Sequence, residues 1–170
     1  GMGALLAGSL EKYRSFEFAL TVEQAKDVAA RAKKKYRRIS AKLPELDKRD
    51  RFEMNSVNCA MLASFILCMP QRPDIKTLTD YYAAAMMTPT MKAFCRASGK
   101  KKFTPKDIEG MKATAKLRAG DRNPYSWNMD FFEYEDGRGY EARFTTCGIC
   151  TLMQALGLHD LTPALCHPHY

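Results

Sequence analysis

Trp127-Asn128-Met129-Asp130-Phe131-Phe132-Glu133-Tyr134-Glu135-Asp136-Gly137-Arg138-Gly139-Tyr140-Glu141-Ala142-Arg143-Phe144-Thr145-Thr146-Cys147-Gly148-Ile149-Cys150 is the stretch on which the fold turns. Aromatic and β-favouring residues fill 125–135 and 140–146, and Asp136-Gly137-Arg138-Gly139 between them is a hairpin-loop sequence. Period-two alternation places Trp127, Met129, Phe131 and Glu133 on one face and Asn128, Asp130, Phe132 and Tyr134 on the other. A two-stranded hairpin is marginal in water by itself. It is therefore expected to pack on helices or to pair with something further.

Working outward toward the N-terminus, the chain reads as helix. Thr21 with Gln24 three residues on is a capping-box pair. Val22, Ala25, Val28, Ala29, Ala32, Tyr36, Ile39 and Leu43 then recur at helical spacing, Lys and Arg crowd residues 33–38, and Pro44 closes the helix. A second helix is predicted over about 50–69, apolar nearly all round in its last half and so central and buried, with Pro70 and Pro73 ending it. A third covers about 78–97, with a break near Pro89. Thr104-Pro105 opens a fourth that runs to about Leu117. Beyond the hairpin, a short helix over 148–156 ends at Gly157, and a last helical turn follows near 160–166. The expected fold is α+β: a mainly helical N-terminal part packed on a small antiparallel hairpin, followed by short Cys-rich C-terminal helices. One domain, 1–170, is expected, divided into a helical part (1–120) and the hairpin with its Cys-rich end (121–170).

Composition narrows the function classes. Apolar residues make up 46% and charged residues 27%, which is globular and excludes disorder of the whole chain. The formal net charge is +8, which does not choose among anionic partners. The basic runs carry no interleaved aromatics and no zinc-finger or helix-turn-helix pattern, so nucleic acid is not an expected partner. The longest near-continuous apolar run, 59–69, is about half of the roughly 20 residues a bilayer requires, so no membrane is expected. Residues 1–7 lack a basic region ahead of a long apolar block, so no secretory signal is expected. The six cysteines are then read as reduced thiols in a cytoplasmic protein. An open hairpin edge makes a homodimer the natural assembly to look for.

The densest chemistry is C-terminal: Cys147, Cys150, Cys166 and His169 form C-x2-C-x15-C-x2-H. Three thiolates and an imidazole would give Zn²⁺ a tetrahedral set, although the fifteen intervening residues read as helix where a zinc ribbon has strands. A second reading is a reactive thiol. Cys147 stands where a strand passes into a helix, where free N–H groups favour a thiolate nucleophile, and His159, His167 or His169 would serve as acid or base. A third reading is plain packing of small buried thiols. The sequence leaves the three open. Cys59, Cys68 and Cys95 lie in apolar helical contexts and read as core. Arg138 and Arg143 on the hairpin are candidate partners for a ligand carboxylate, or else solvated surface charges.

Several of these runs are familiar together. Tyr125-Ser126-Trp127, Phe131, Gly139-Tyr140, Phe144-Thr145-Thr146-Cys147-Gly148-Ile149-Cys150, Leu156-Gly157-Leu158, Pro163-Ala164-Leu165-Cys166 and His169-Tyr170 resemble the L-2-amino-thiazoline-4-carboxylic acid hydrolase family of bacterial proteins, over about the last 45 residues. The earlier helices fit more loosely. The family has Asp at the position of His169 and continues past that of Tyr170, so a divergent, C-terminally short member is expected. The resemblance implies hydrolytic opening of a small cyclic amidine that carries a carboxylate. That chemistry needs a nucleophile at the amidine carbon, a proton donor for the leaving group and a cation for the carboxylate. Cys147 and His169 are the candidate catalytic residues, and Arg143 and Trp127 the candidate substrate-binding ones. Cys147, Cys150, Cys166 and His169 remain the candidate zinc set. The rival expectation is a non-catalytic relative that binds a small ligand or a partner, with the Cys/His cluster a structural metal site or core packing.

Overall fold

A computed structural model of the chain describes residues 20–45, 53–98, 104–137 and 139–166. Helix α1 (Val22–Ser40) starts at the expected capping box: the Gln24 N–H donates to Thr21 Oγ1 at 3.2 Å and the Thr21 N–H to Gln24 Oε1 at 2.8 Å. Its inner stripe is Ala25, Val28, Ala32 and Ile39. Helix α2 (Glu53–Ile66) lies against it and is the central helix the composition predicts, with Cys59, Ala60, Leu62, Ala63, Ser64, Phe65 and Ile66 all buried. Helix α3 (Ile75–Met86) is capped by Asp74, which accepts the Thr77 N–H at 2.9 Å, and buries Leu78, Tyr81 and Tyr82. The Tyr81 ring stacks on Phe65 of α2 with centroids 6.1 Å apart.

The expected break falls at Met87-Thr88, since Pro89 has no N–H to carry the helix on. Helix α4 (Pro89–Ser98) then buries none of its residues. This corrects the core assignment of Cys95, which is exposed, and exposes Met87 as well. Helix α5 (Pro105–Arg118) opens at Thr104, whose N–H donates to Asp107 Oδ2 at 2.9 Å, and packs Ile108, Thr114 and Ala115 inward beside β1.

Strands β1 (Trp127–Glu133) and β2 (Tyr140–Cys147) form the antiparallel hairpin. It packs on α5 as its marginal stability demands, and Trp127 and Met129 are its buried face. Gly137, at φ 65°, supplies the left-handed turn conformation that side chains disfavour. Two details were not expected. Asn128 pairs with Thr146 but Met129 with Phe144, so Thr145 is an extra residue in the ladder. The strand also starts at Trp127, since Tyr125 and Ser126 belong to the preceding turn.

The chain closes with α6 (Gly148–Ala155), a 3-10 turn (His159–Leu161) and α7 (Pro163–Cys166). Helix α6 packs on α2, while the 3-10 turn and α7 pack on α3. Ile149, Leu152, Met153, Leu158, Leu161, Ala164 and Leu165 join Trp127 and the inner faces of α1, α2 and α3 in one apolar cluster. Among the described residues, no helix is long and apolar enough to cross a membrane.

Candidate functional site

The site is set up by the turn between α5 and β1. The buried Arg118 donates from Nη1 to Asp121 Oδ2 at 2.9 Å, and the other carboxylate oxygen accepts the Asn123 N–H at 2.8 Å. The Asn123 side chain in turn accepts the Tyr125 N–H at 3.0 Å, and Asn128 Nδ2 donates to the Asp121 carbonyl at 2.9 Å. These Asx-type bonds take the backbone donors that a longer β1 would have used, which is why the strand starts late. They also press the Tyr125 carbonyl onto Gly148: a Cβ at 148 would lie 2.1 Å from that oxygen. Loss of the Asp121 carboxylate by Asp121→Ala is expected to cost about 2–3 kcal/mol, since its bonds to the buried Arg118 and to the Asn123 N–H are both charge-assisted. Urea unfolding reads this as a lower midpoint, and an unmoved midpoint would mean that Asn123 holds the turn without help.

Immediately above this contact sits Cys147. It ends β2, precedes α6 as its N-cap at φ −126° and ψ 109°, and pairs across the ladder with Trp127. Trp127 is only 2% exposed, so it forms the wall behind Cys147. Cys150 lies in the first turn of α6, with its thiol beside that of Cys147. Cys166 ends α7. All three are half-buried. The packing of α2 on α6 brings a fourth thiol, the fully buried Cys59, within electrostatic range of the other three.

The consequence is a proton-rich cluster. Burial first, and then the charges of Cys147, Cys166 and Cys150, push Cys59 up from 9.0 to about 12. Burial, then the charge and hydrogen bond of Cys147 and the charge of Cys166, push Cys150 up to about 11. Cys166 is raised by burial and by Cys147. The Tyr82 phenol on α3 is pushed up to about 12 by burial, with Cys59 and Cys166 adding to it. Burial and like charges thus work together to keep Cys59, Cys150 and Cys166 protonated.

Other candidates are placed differently. Arg143 is fully solvated, holds Glu141 Oε1 from Nε at 2.6 Å, and lies with its guanidinium carbon 5.2 Å from the Phe132 ring centroid. Its pairing with Glu141 raises its pKa further. His159 is exposed on the 3-10 turn. Arg138, His167 and His169 lie outside the described residues, and with His169 the fourth member of the candidate zinc set. Among the described residues, no group of three or more His, Cys, Asp or Glu side chains is arranged to hold a metal ion.

Two members of the cluster, Cys59 and Tyr82, escaped the sequence reading. Cys59 was read correctly as buried, but no local pattern says which helix a buried thiol will face. Tyr82 carries no motif at all. The family model described as L-2-amino-thiazoline-4-carboxylic acid hydrolase matches residues 61–169, from the middle of α2 past the end of α7. No curated protein and no solved structure matches the chain.

Proposed function

The chain belongs to the L-2-amino-thiazoline-4-carboxylic acid hydrolase family, and on that premise we propose that it hydrolyses a small cyclic amidine bearing a carboxylate, with Cys147 as the nucleophile. The observation that carries this reading is the meeting of two half-buried thiols where β2 passes into α6, Cys147 at the N-cap and Cys150 in the first turn. We assign the attack to Cys147 and the proton donation to Cys150, whose thiol is held protonated by burial and by its neighbours. That is the division of labour which ring opening needs: an attacking sulfur beside a proton donor.

In the proposed sequence, the Cys147 thiolate adds to the amidine carbon between the ring nitrogen and the ring sulfur. The adduct collapses by breaking one ring bond to that carbon, and the departing heteroatom takes the Cys150 proton. Water then attacks the carbon held on Cys147 and releases the thiolate. The water proton restores Cys150. Trp127 would wall the site on the side of β1. His169 follows Cys166 by three residues, a tether of roughly 10 Å at full extension, and is assigned to taking that proton from the water and passing it to Cys150. Arg143, across from Asp130 and against Phe132 on the hairpin face away from Trp127 and Cys147, is given no part in the proposed step.

The test is direct. The full chain, kept reduced, is incubated with 2-amino-thiazoline-4-carboxylate, and ring-opened product is followed by liquid chromatography with mass detection. Turnover is expected, and Cys147→Ser is expected to lower it at least about a hundredfold at unchanged stability. Cys95→Ser, on the exposed α4, is expected to leave turnover intact. No turnover by the unsubstituted chain, or full turnover by Cys147→Ser, would sink the assignment. The first of these outcomes favours a non-catalytic relative whose thiols simply pack.

A further inference from the structure

A cavity of about 350 Å³ opens between the C-terminal half of α1 and α6, at the small end of the roughly 300–1,000 Å³ typical of ligand sites. One wall is cationic: Lys35, Arg38 and Lys42, spaced three and four residues apart on one face of α1 and the turn after it. The floor is apolar, made by Ile39 and Leu43 from the same face, Leu152 and Leu156 from α6, and the Tyr125 side chain. Among the described residues, none of the three cations is in an ion pair.

Cations near the end of α1 favour the helix macrodipole whatever they face. The macrodipole does not require them to border an apolar hollow. Lys33, Lys34 and Arg37 serve that role equally and lie off the cavity, whereas Lys35, Arg38 and Lys42 line it. Three like charges bordering one apolar hollow favour an anion there over a neutral ligand. Nor is this the thiol site. Leu152, Ala155 and Leu156 lie on one face of α6, and helical geometry puts Cys150 on the opposite face.

We propose that this cavity is a second, non-catalytic binding site for a small amphiphilic monocarboxylate. Its carboxylate is held by Lys35, Arg38 and Lys42, and its hydrocarbon body lies on Ile39, Leu43 and Leu152. The two halves of the wall define the ligand together: the cations reject a neutral chain, and the floor adds nothing for a naked anion.

Decanoate is the probe, titrated into the full chain below its micelle concentration and followed by calorimetry at low salt. One molecule per chain is expected to bind. Decanol and inorganic phosphate are each expected to bind at least about tenfold more weakly. Lys35→Gln with Arg38→Gln and Lys42→Gln, changes at the cavity rim on α1 and the turn after it, is expected to weaken decanoate by a similar factor without lowering the urea midpoint. Cys147→Ser is expected to bind decanoate as the unsubstituted chain does. Equal binding of decanol would make the cavity an unselective apolar crevice, and equal binding of phosphate a plain cationic patch. Either result overturns the proposal, as does an absence of decanoate binding. Capture of the chain by anionic phosphatidylserine vesicles that decanoate cannot displace would also overturn it, in favour of a membrane-surface patch.

Discussion

Gly148→Ala is expected to destabilise the chain by about 3 kcal/mol or more, at the upper end of what overpacking costs. Replacing glycine by alanine within a helix ordinarily gains about 0.5–1 kcal/mol, so the sign itself is diagnostic. The methyl group would stand 2.1 Å from the Tyr125 carbonyl oxygen and 2.7 Å from its carbon. Both are backbone atoms, and no side chain can swing away to make room. The Tyr125 peptide is fixed by Asn123 and Asp121 behind it. Helix α6 is fixed by Ile149, Leu152 and Met153 in the core. Whichever yields, it takes buried contacts with it. For a chain of this length the loss corresponds to a fall of roughly 6–12 °C in Tm, and urea unfolding with an unchanged slope would assign it to the folded state. Gly120→Ala is the control: nothing lies within 4 Å of a Cβ there, and the substitution is expected to be neutral or mildly stabilising. If the two variants behave alike, the close approach of Tyr125 to α6 is wrong.

Gly148 also shows where sequence reading stops. The Cys-Gly-Ile-Cys run was legible as a strand passing into a helix, and that is where the structure has it. The hairpin, its glycine turn, the Thr21/Gln24 capping pair, the helix start at Thr104-Pro105 and the breaks at the prolines were legible for the same reason: each is decided by residues within four positions of one another. What failed was non-local. The register shift at Asn128/Met129 depends on where β2 must arrive to place Cys147 opposite Trp127, not on any residue in β1. Helix α4 has Met91, Phe94 and Cys95 at helical spacing, yet Phe94 is 64% exposed. Periodicity reports that a helix has an apolar stripe and is silent on what covers it. Cys59 is the sharpest case. Its burial followed from the apolar run around it, while its membership of the thiol cluster follows only from the packing of α2 on α6.

That membership leads to the second large effect, a steep loss of stability above about pH 9. In the unfolded chain the Cys59 thiol ionises near its ordinary 9.0, and in the folded chain only near 12. Below pH 9 both states hold the proton and stability is indifferent to pH. Between pH 9 and 12 the folded state holds a proton that the unfolded state has released, so stability falls with rising pH, by about 1.4 kcal/mol per pH unit. Over the whole interval Cys59 alone accounts for about 4 kcal/mol, a large share of the 5–15 kcal/mol typical of a domain. Cys150, raised to about 11, and Tyr82, raised to about 12, steepen the fall within the same interval. Cys59→Ala separates this term from the deprotonation of surface lysines, which both proteins share. The variant is expected to be less stable at pH 7, by about 1–2 kcal/mol for the cavity left behind. It is also expected to lose stability more slowly from pH 9 upward, so that the two curves of urea midpoint against pH converge or cross before pH 12. Parallel curves would mean that Cys59 ionises as readily in the folded chain as in the unfolded one. The thiol cluster would then not be the proton-holding site on which the proposed role of Cys150 as acid depends.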